Sequence, residues 1–245
     1  MRLLQTLGRR ASWLPMLLTL WMMAGPLRAQ TLPGRAEVRA IKGQAFVSVG
    51  AAPARPLKVG TVLLTGATIR TGPDSLVDLF LGNSAGVLRI TENSTLVLDR
   101  LTLIETGLDR VVEVQLNLPE GQILGNVNKL SGASKYEIKV PNGVAGIRGT
   151  RFRFGAKGDV VLLDGALIFV HVGPGGNPVP YTMTAPPAVM FSPSTGVQLA
   201  TPAVIQEVTG QMGRPQRSAP PSKTARNFDN PQPEPEVIVS PVTGQ

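Results

Sequence analysis

The chain has 245 residues, no cysteine, a single histidine (His171) and a formal net charge of +8. These counts exclude a disulfide framework, a thiolate zinc site, a cysteine nucleophile and any site built from several histidines. Glycine (27) and proline (22) are frequent while charged residues make up only 16%, and this mixture predicts many short strands joined by tight turns.

Residues 1–29 predict a secretory signal peptide. Three arginines form a positive start, an apolar run follows over residues 13–23, and Gly25-Pro26 ends it. The run is shorter than the ~20 apolar residues of a membrane span, so we expect no stable span once the signal is removed. A retained anchor is the alternative. The protein is therefore expected in the periplasm or outside the cell.

The positive charge does not indicate a nucleic-acid partner. Without residues 1–29 the chain keeps 20 basic against 16 acidic residues, and outside the stretch 214–226 the basic ones are scattered. A basic groove would need such charges on one face.

Residues 36–172 predict one β domain, because apolar and polar residues alternate with period two. The clearest strands are 112–118, 136–140 and 151–154. Further strand candidates are 38–49, 59–64, 67–70, 76–81, 86–91, 95–99 and 160–172. The expected fold is all-β: a single, mainly antiparallel β-sandwich or roll, or a solenoid-like domain.

A Pro/Gly-rich extension follows over residues 173–210. Segments 181–184 and 189–191 are candidate edge strands, the position to which proline restricts a strand. Residues 201–208 predict a short helix with a threonine N-cap followed by proline.

The polar, Pro-rich residues 211–245 predict a disordered tail, with few apolar residues before 237–239. Its basic first half precedes an acidic second half. A solvated tail is one interpretation, and a contact with an anionic surface is the other.

Residues 135–152 carry more information about the protein family than the rest of the chain. This run predicts a strand, a Pro-Asn-Gly turn and a second strand, with glycine at every third position, as close backbone approach or positive φ requires. It resembles the hallmark of the FecR domain family, and looser similarity extends over residues 36–172. The residues that carry the resemblance are Pro141, Gly143, Gly146, Ile147, Arg148, Gly149, Thr150 and Phe152.

The resemblance implies an all-β extracytoplasmic domain. In founding members of the family this domain senses transport of ferric siderophores and regulates a sigma factor across the inner membrane. We expect neither a cytoplasmic anti-sigma region nor a folded C-terminal docking domain here. The expected function is that of an exported, non-enzymatic binding module whose partner is another envelope protein or an envelope polymer. The alternative is a periplasmic sensor that regulates a sigma-factor or iron-uptake type signalling system through a separate membrane partner.

Arg148 is the first candidate site residue. Its planar guanidinium could bind a carboxylate or phosphate ligand. Alternatively it pairs internally with Glu137 or Asp164 and locks the turn.

The bond between Gly149 and Thr150 is a second candidate. A threonine hydroxyl can attack the preceding carbonyl of a strained peptide, which gives an N-to-O acyl shift and cleavage. The alternative is an ordinary turn threonine that enters a strand.

No catalytic residue, cofactor or metal site is predicted otherwise. Residues 151–154 alternate as a strand does, and His171 lies in an apolar strand. Asp159 and Asp164 lack the spacing of a calcium loop, and no phosphate-binding or dinucleotide motif occurs. The ligand and the oligomeric state stay open.

Overall fold

The computed structural model describes residues 30–83, 85–106, 109–213 and 237–238. The predicted signal peptide lies outside the described residues. The elements are β1 (Gln30–Pro33), β2 (Ala36–Lys42), β3 (Ala45–Val49), β4 (Arg55–Pro56), β5 (Val62–Leu63), β6 (Ala67–Thr71), β7 (Leu76–Phe80), β8 (Val87–Ile90), β9 (Thr95–Thr106), β10 (Asp109–Glu120), β11 (Gln122–Asn126), β12 (Lys135–Val140), β13 (Gly143–Gly155), β14 (Val160–Val172), β15 (Pro178–Ala185), β16 (Val189–Ser192), β17 (Gly196–Leu199), α1 (Pro202–Met212) and β18 (Val237–Ile238).

The sheet diverges into two arms from the long β13–β14 hairpin. In the first arm, the beginning of β13 pairs with β12, which is followed by β10, β9, β6, β3 and β4, while β15 pairs with the end of β14. In the second arm, the end of β13 pairs with β11, followed by β8, β7, β2, β5 and β18, while β16 and β17 extend from the beginning of β14. Only β10–β12 and β5–β18 are parallel among these pairs.

This arrangement confirms the all-β, mainly antiparallel prediction and favours the sandwich or roll. Strands distant in sequence pair, as β2 does with β7, whereas a solenoid stacks neighbouring repeats. The inward faces of both arms share one hydrophobic core. Phe154 of the second arm meets Phe169 of the first edge to face, with ring centroids 5.3 Å apart.

The predicted strand over residues 38–49 is wrong, because it is two strands. Gly43 has φ 75°, and a side chain there would collide with Ser75. The chain therefore turns at Gly43, and β2 joins the second arm while β3 joins the first.

The extension after residue 172 belongs to the same domain. Met183 of β15 and Phe191 of β16 are buried in the common core. The edge position predicted for 181–184 holds, since β15 pairs with β14 alone in the described part of the chain. For 189–191 it is wrong, because β17 covers β16 on its outer side.

The predicted helix is confirmed as α1. The Thr201 side chain caps it by accepting a hydrogen bond from the Val204 N–H, and Pro202 stands at its first position. Val208 packs on Leu124 and Val161 of the second arm. In the described part of the chain, no helix has both the length and the apolar character that a membrane crossing demands.

Two short parts of the predicted disordered tail, residues 211–245, have regular structure. Met212 still belongs to α1, and Val237–Ile238 form β18 along β5. The rest of the predicted tail, residues 214–236 and 239–245, lies outside the described residues.

Candidate functional site

The Pro-Asn-Gly turn of the motif fastens the two ends of the long hairpin together. Pro141 and Asn142 are the two residues between β12 and β13. The Asn142 carbonyl accepts a hydrogen bond from the Val172 N–H (2.7 Å), and its Nδ2 donates to the Lys157 carbonyl (2.7 Å). Lys157 lies in the loop after β13, so the hairpin is folded back on itself.

The hairpin bends at a β-bulge formed by Gly149 and Thr150. Arg148 pairs with Ala166 and Arg151 with Asp164, which leaves two residues of β13 opposite Gly165 alone. Gly149 has φ 64° and Gly165 has φ 91°, both in the left-handed region. A side chain on Gly165 would collide with the Gly149 carbonyl.

The bulge also reverses which side chains of β13 face the core. Ala145 and Ile147 are buried before it, and Thr150, Phe152 and Phe154 are buried after it. Because side chains alternate along a strand, the extra residue shifts the inward set by one position. β13 can thus bury side chains in the core along both of its halves, the first in the first arm and the second in the second arm. The motif forms the bend between these two halves.

The three regularly spaced glycines of the motif do not have one common structural role. A side chain on Gly143 would collide with β14 near Phe169. Gly149 needs its positive φ. Gly146 is exposed, and a Cβ atom added there would lie 4.0 Å from its nearest neighbour, the Ile168 carbonyl oxygen.

Thr150 is placed in the core rather than at a reactive surface. It is 1% exposed, and its Oγ1 is buried without a hydrogen-bond partner. Its carbonyl accepts from the Val127 N–H at 2.9 Å. Within the described residues no side chain is bonded to Oγ1 as a base, and self-cleavage at Gly149–Thr150 stays a prediction.

Arg148 is exposed, and it forms neither of the two internal ion pairs, with Glu137 or with Asp164, that the sequence analysis considered. Glu137 binds Lys135 instead, with Nζ–Oε1 at 3.0 Å. Asp164 is exposed and makes no ion pair with Arg148. In the described part of the chain the guanidinium has no ion-pair or hydrogen-bond partner. The bulge, not a salt bridge, therefore fixes the turn.

The surface around Arg148 combines this cation with apolar side chains. We call it the Arg148 face: Val144, Gly146 and Arg148 of β13, Glu137 of β12 and Ile168 of β14. Glu137 and Ile168 flank Gly146 on its two sides. Ile168 is 51% exposed and Val144 37%. Gly146 contributes no side chain between Glu137 and Ile168, and a Cβ atom added there would meet nothing closer than 4.0 Å.

A cleft of about 850 Å³ beside the turn was not predicted from the sequence. Its lining includes Pro119, Asn142, Arg153, Lys157, Met190 and Val204. These residues come from separate segments that only the fold brings together, so no motif signals them. Arg153 is already bonded to Glu207 of α1 at 2.8 Å.

The other residues that the sequence analysis considered pack against side chains of the domain. His171 lies against Phe169 and Phe191, with ring centroids 5.8 and 5.9 Å away. Phe152 and Phe154 face the core, as the alternation predicted. No group of three or more acidic or histidine side chains that could hold a metal occurs among the described residues.

Two pKa shifts lie away from the Arg148 face. A bidentate hydrogen bond to Asp78 (2.6 and 2.7 Å) raises the pKa of Arg89, whose Nη1 also donates to the Gln211 carbonyl of α1. Burial raises the pKa of Tyr136, and its hydroxyl has no partner in the described core.

The fold and the motif define an all-β domain organised around one bent hairpin. Comparison with protein-family models matches residues 67–167 to FecR, described as FecR protein. The chain thus carries a FecR-family domain, which confirms the resemblance. A search of curated proteins and a search of solved structures each gave no match.

The matched range covers β6 to the middle of β14 and includes the motif from Pro141 to Phe152. The family suggests a protein of cell-envelope signalling or sensing, and its members work with partner proteins.

Proposed function

We propose that the chain is an exported, non-enzymatic binding module of the cell envelope and that the Arg148 face is its binding surface. Export follows from the predicted signal peptide over residues 1–29, with a periplasmic or extracellular destination. The partner is another envelope protein or an envelope polymer that presents a carboxylate or phosphate group.

The observation that carries this proposal is the unpaired guanidinium of Arg148. The two lysines of the adjacent strand β12 are already paired, Lys135 with Glu137 (3.0 Å) and Lys139 with Asp99 (3.5 Å). Within the described residues, the Arg148 guanidinium has no such partner and is available to bind an anionic group of another molecule. Its fork of donors suits bidentate binding of a carboxylate or phosphate.

The apolar neighbours support an interface with a macromolecule. Ile168 and Val144 are large and exposed, and they lie on the same outward face as Arg148: Ile168 is paired with Gly146, and Val144 precedes Gly146 by two residues in β13. Arginine beside apolar side chains is typical of the centre of protein interfaces. Gly146 adds no side chain between Glu137 and Ile168, which leaves room there for a side chain of the partner.

The test is retention of the full-length protein in the envelope fraction of its source cells. Arg148→Glu reverses the charge, and we expect it to reduce retention about tenfold or more, as for an interface hot spot. Arg35→Glu is the matched control, because Arg35 is exposed just before β2, in the second arm. Full retention of the Arg148→Glu protein would contradict the proposal.

The family match supports a narrower alternative, a periplasmic sensor that regulates a sigma-factor or iron-uptake type system through a separate membrane partner. Sigma-factor and transporter genes next to the coding sequence would favour it. Deletion of the gene should then change transcription of the neighbouring transporter, and Arg148→Glu should reproduce the deletion. Unchanged transcription would favour the module without a signalling role.

A further inference from the structure

The cleft of about 850 Å³ beside the Pro-Asn-Gly turn has no role in the function proposed above. Its lining comes from the loop 156–159 between β13 and β14, from the junction of β10 and β11, from the turn, and from β16 and α1. Clefts that bind small molecules have volumes of roughly 300–1,000 Å³. The cleft is therefore large enough for a small ligand.

The loop 156–159 is held in place from two sides. The Ala156 N–H donates a hydrogen bond to the Gly121 carbonyl (2.9 Å), next to the junction of β10 and β11. The Asn142 Nδ2 donates to the Lys157 carbonyl (2.7 Å). The charged side chains of this loop thus start from a fixed backbone, which reduces the conformational entropy that is lost when a ligand binds.

Three charged side chains of the cleft have no partner among the described residues. Lys157 and Asp159 belong to the loop and Glu120 to the end of β10, and all three are exposed. No ion pair or side-chain hydrogen bond joins any of them to another described residue. The fourth charged lining residue, Arg153, is already paired with Glu207 at 2.8 Å. The unpaired set is two carboxylates and one ammonium.

Apolar side chains line the cleft beside these charges. Pro119 and Pro141 are exposed, and Met190 of β16 and Val204 of α1 are half-buried. An alkyl chain bound against them would remove apolar surface from water, which is favourable. The lining therefore favours a ligand that carries both charged groups and a hydrocarbon chain.

We propose that this cleft binds a free diamino carboxylic acid, a molecule with two ammonium groups and one carboxylate on a short alkyl chain. Lys157 binds the carboxylate, Asp159 binds the α-ammonium, and Glu120 binds the ammonium at the end of the side chain. The charges of such a ligand are opposite to those that the cleft leaves unpaired, and complementary charges give specificity. A monoamino acid would leave Glu120 unpaired, and a diamine would leave Lys157 unpaired. The cleft shares no residue with the Arg148 face, so the proposal goes beyond the binding module described above.

Calorimetric titration of the full chain with L-lysine tests the site. Lysine should bind with one molecule per chain, and norleucine, which lacks only the side-chain ammonium, should bind about tenfold more weakly because one charged pair is missing. Glu120→Gln is nearly isosteric. It should weaken lysine about tenfold and leave norleucine unchanged, since the lost pair exists with lysine alone. No saturable binding at millimolar lysine, or equal affinities for lysine and norleucine, would overturn the proposal.

The same comparison tests the group that binds the α-ammonium. Asp159→Asn should weaken lysine about tenfold and leave Nα-acetyl-lysine, which has no α-ammonium, unchanged. Asp164→Asn is the matched control, because Asp164 is exposed on β14 and does not line the cleft. Unchanged lysine binding in Asp159→Asn, or an equal loss in Asp164→Asn, would overturn the assignment. Arg148→Glu should bind lysine as the wild type does, so this proposal and that of the Arg148 face fail separately.

Discussion

Asn142 and Lys157 stand beyond opposite ends of the 13-residue strand β13, yet the Asn142 Nδ2 donates to the Lys157 carbonyl at 2.7 Å. A straight strand of that length would separate its ends by roughly 40 Å. The contact is possible only because the hairpin bends at the Gly149–Thr150 bulge. The segment from Pro141 to Phe152, which carries the family resemblance, thus contains both the bend and Asn142, the residue that joins the bent ends.

Replacement of Asn142 by alanine should loosen this closure. The substitution removes the exposed hydrogen bond to the Lys157 carbonyl, so we expect a loss of about 0.5–1.5 kcal/mol in the free energy of unfolding. Urea denaturation measures it. Asn177→Ala, in the exposed loop before β15, is the control and should change little. Equal stability of the two variants would show that the closure contributes nothing.

Replacement by alanine should destabilise the protein at Gly165 of the bulge and stabilise it at the exposed Gly146. Gly165→Ala combines a φ of 91° with a collision at the Gly149 carbonyl, and we expect a loss of about 3 kcal/mol. Gly146→Ala meets no atom closer than 4.0 Å, and should gain about 0.5–1 kcal/mol by restricting the unfolded chain. Chemical denaturation of both proteins decides, and a reversed ranking would refute the assignment of the bulge.

Thr150→Val removes a buried hydroxyl that has no partner and keeps the branched shape. We expect stability to be unchanged or higher by about 1 kcal/mol, because no hydrogen bond is lost. The intact mass of the exported wild-type protein checks the second role considered for this residue. A non-enzymatic module gives one unbroken chain, whereas two fragments meeting between Gly149 and Thr150, absent from Thr150→Val, would establish self-cleavage.

Tyr136 should make the protein sensitive to alkaline pH. Burial raises its pKa in the folded state, so the neutral hydroxyl stabilises the fold fully below the unfolded pKa of about 10 and loses this effect as pH rises further. Tyr136→Phe should therefore unfold less readily than the wild type above pH ~10. Tyr181→Phe is the control, since the chain has only two tyrosines. Identical alkaline unfolding of wild type and Tyr136→Phe would contradict the assignment.

Much of the fold could be predicted because one buried face imposes a period of two. The alternation along β10 and β12 follows directly from the sequence, with Val114, Leu116 and Ile138 buried. The N-cap of α1 is equally local, because Thr201 and Pro202 are adjacent. Such features depend on neighbours in the chain and need no knowledge of the fold.

The rest depends on contacts between distant segments. Nothing near Gly43 distinguishes a turn between two arms from a glycine inside one strand, since Ser75 creates the restriction. The inward set of β13 changes at the bulge only because Gly165 lies opposite. For Arg148, two acids were available in sequence, and only the structure shows that Glu137 is occupied by Lys135.

Site-specific photo-crosslinking tests the central claim, that the Arg148 face binds an envelope partner, most directly. A photoreactive benzophenone residue replaces Ile168 on this face, and in a second protein it replaces Leu199 of β17, which is 67% exposed. We predict an adduct of defined mass from position 168 in intact cells, none from position 199, and loss of the adduct when Arg148→Glu is added. Equal adducts at both positions, or an adduct at 168 that is insensitive to Arg148→Glu, would contradict the account.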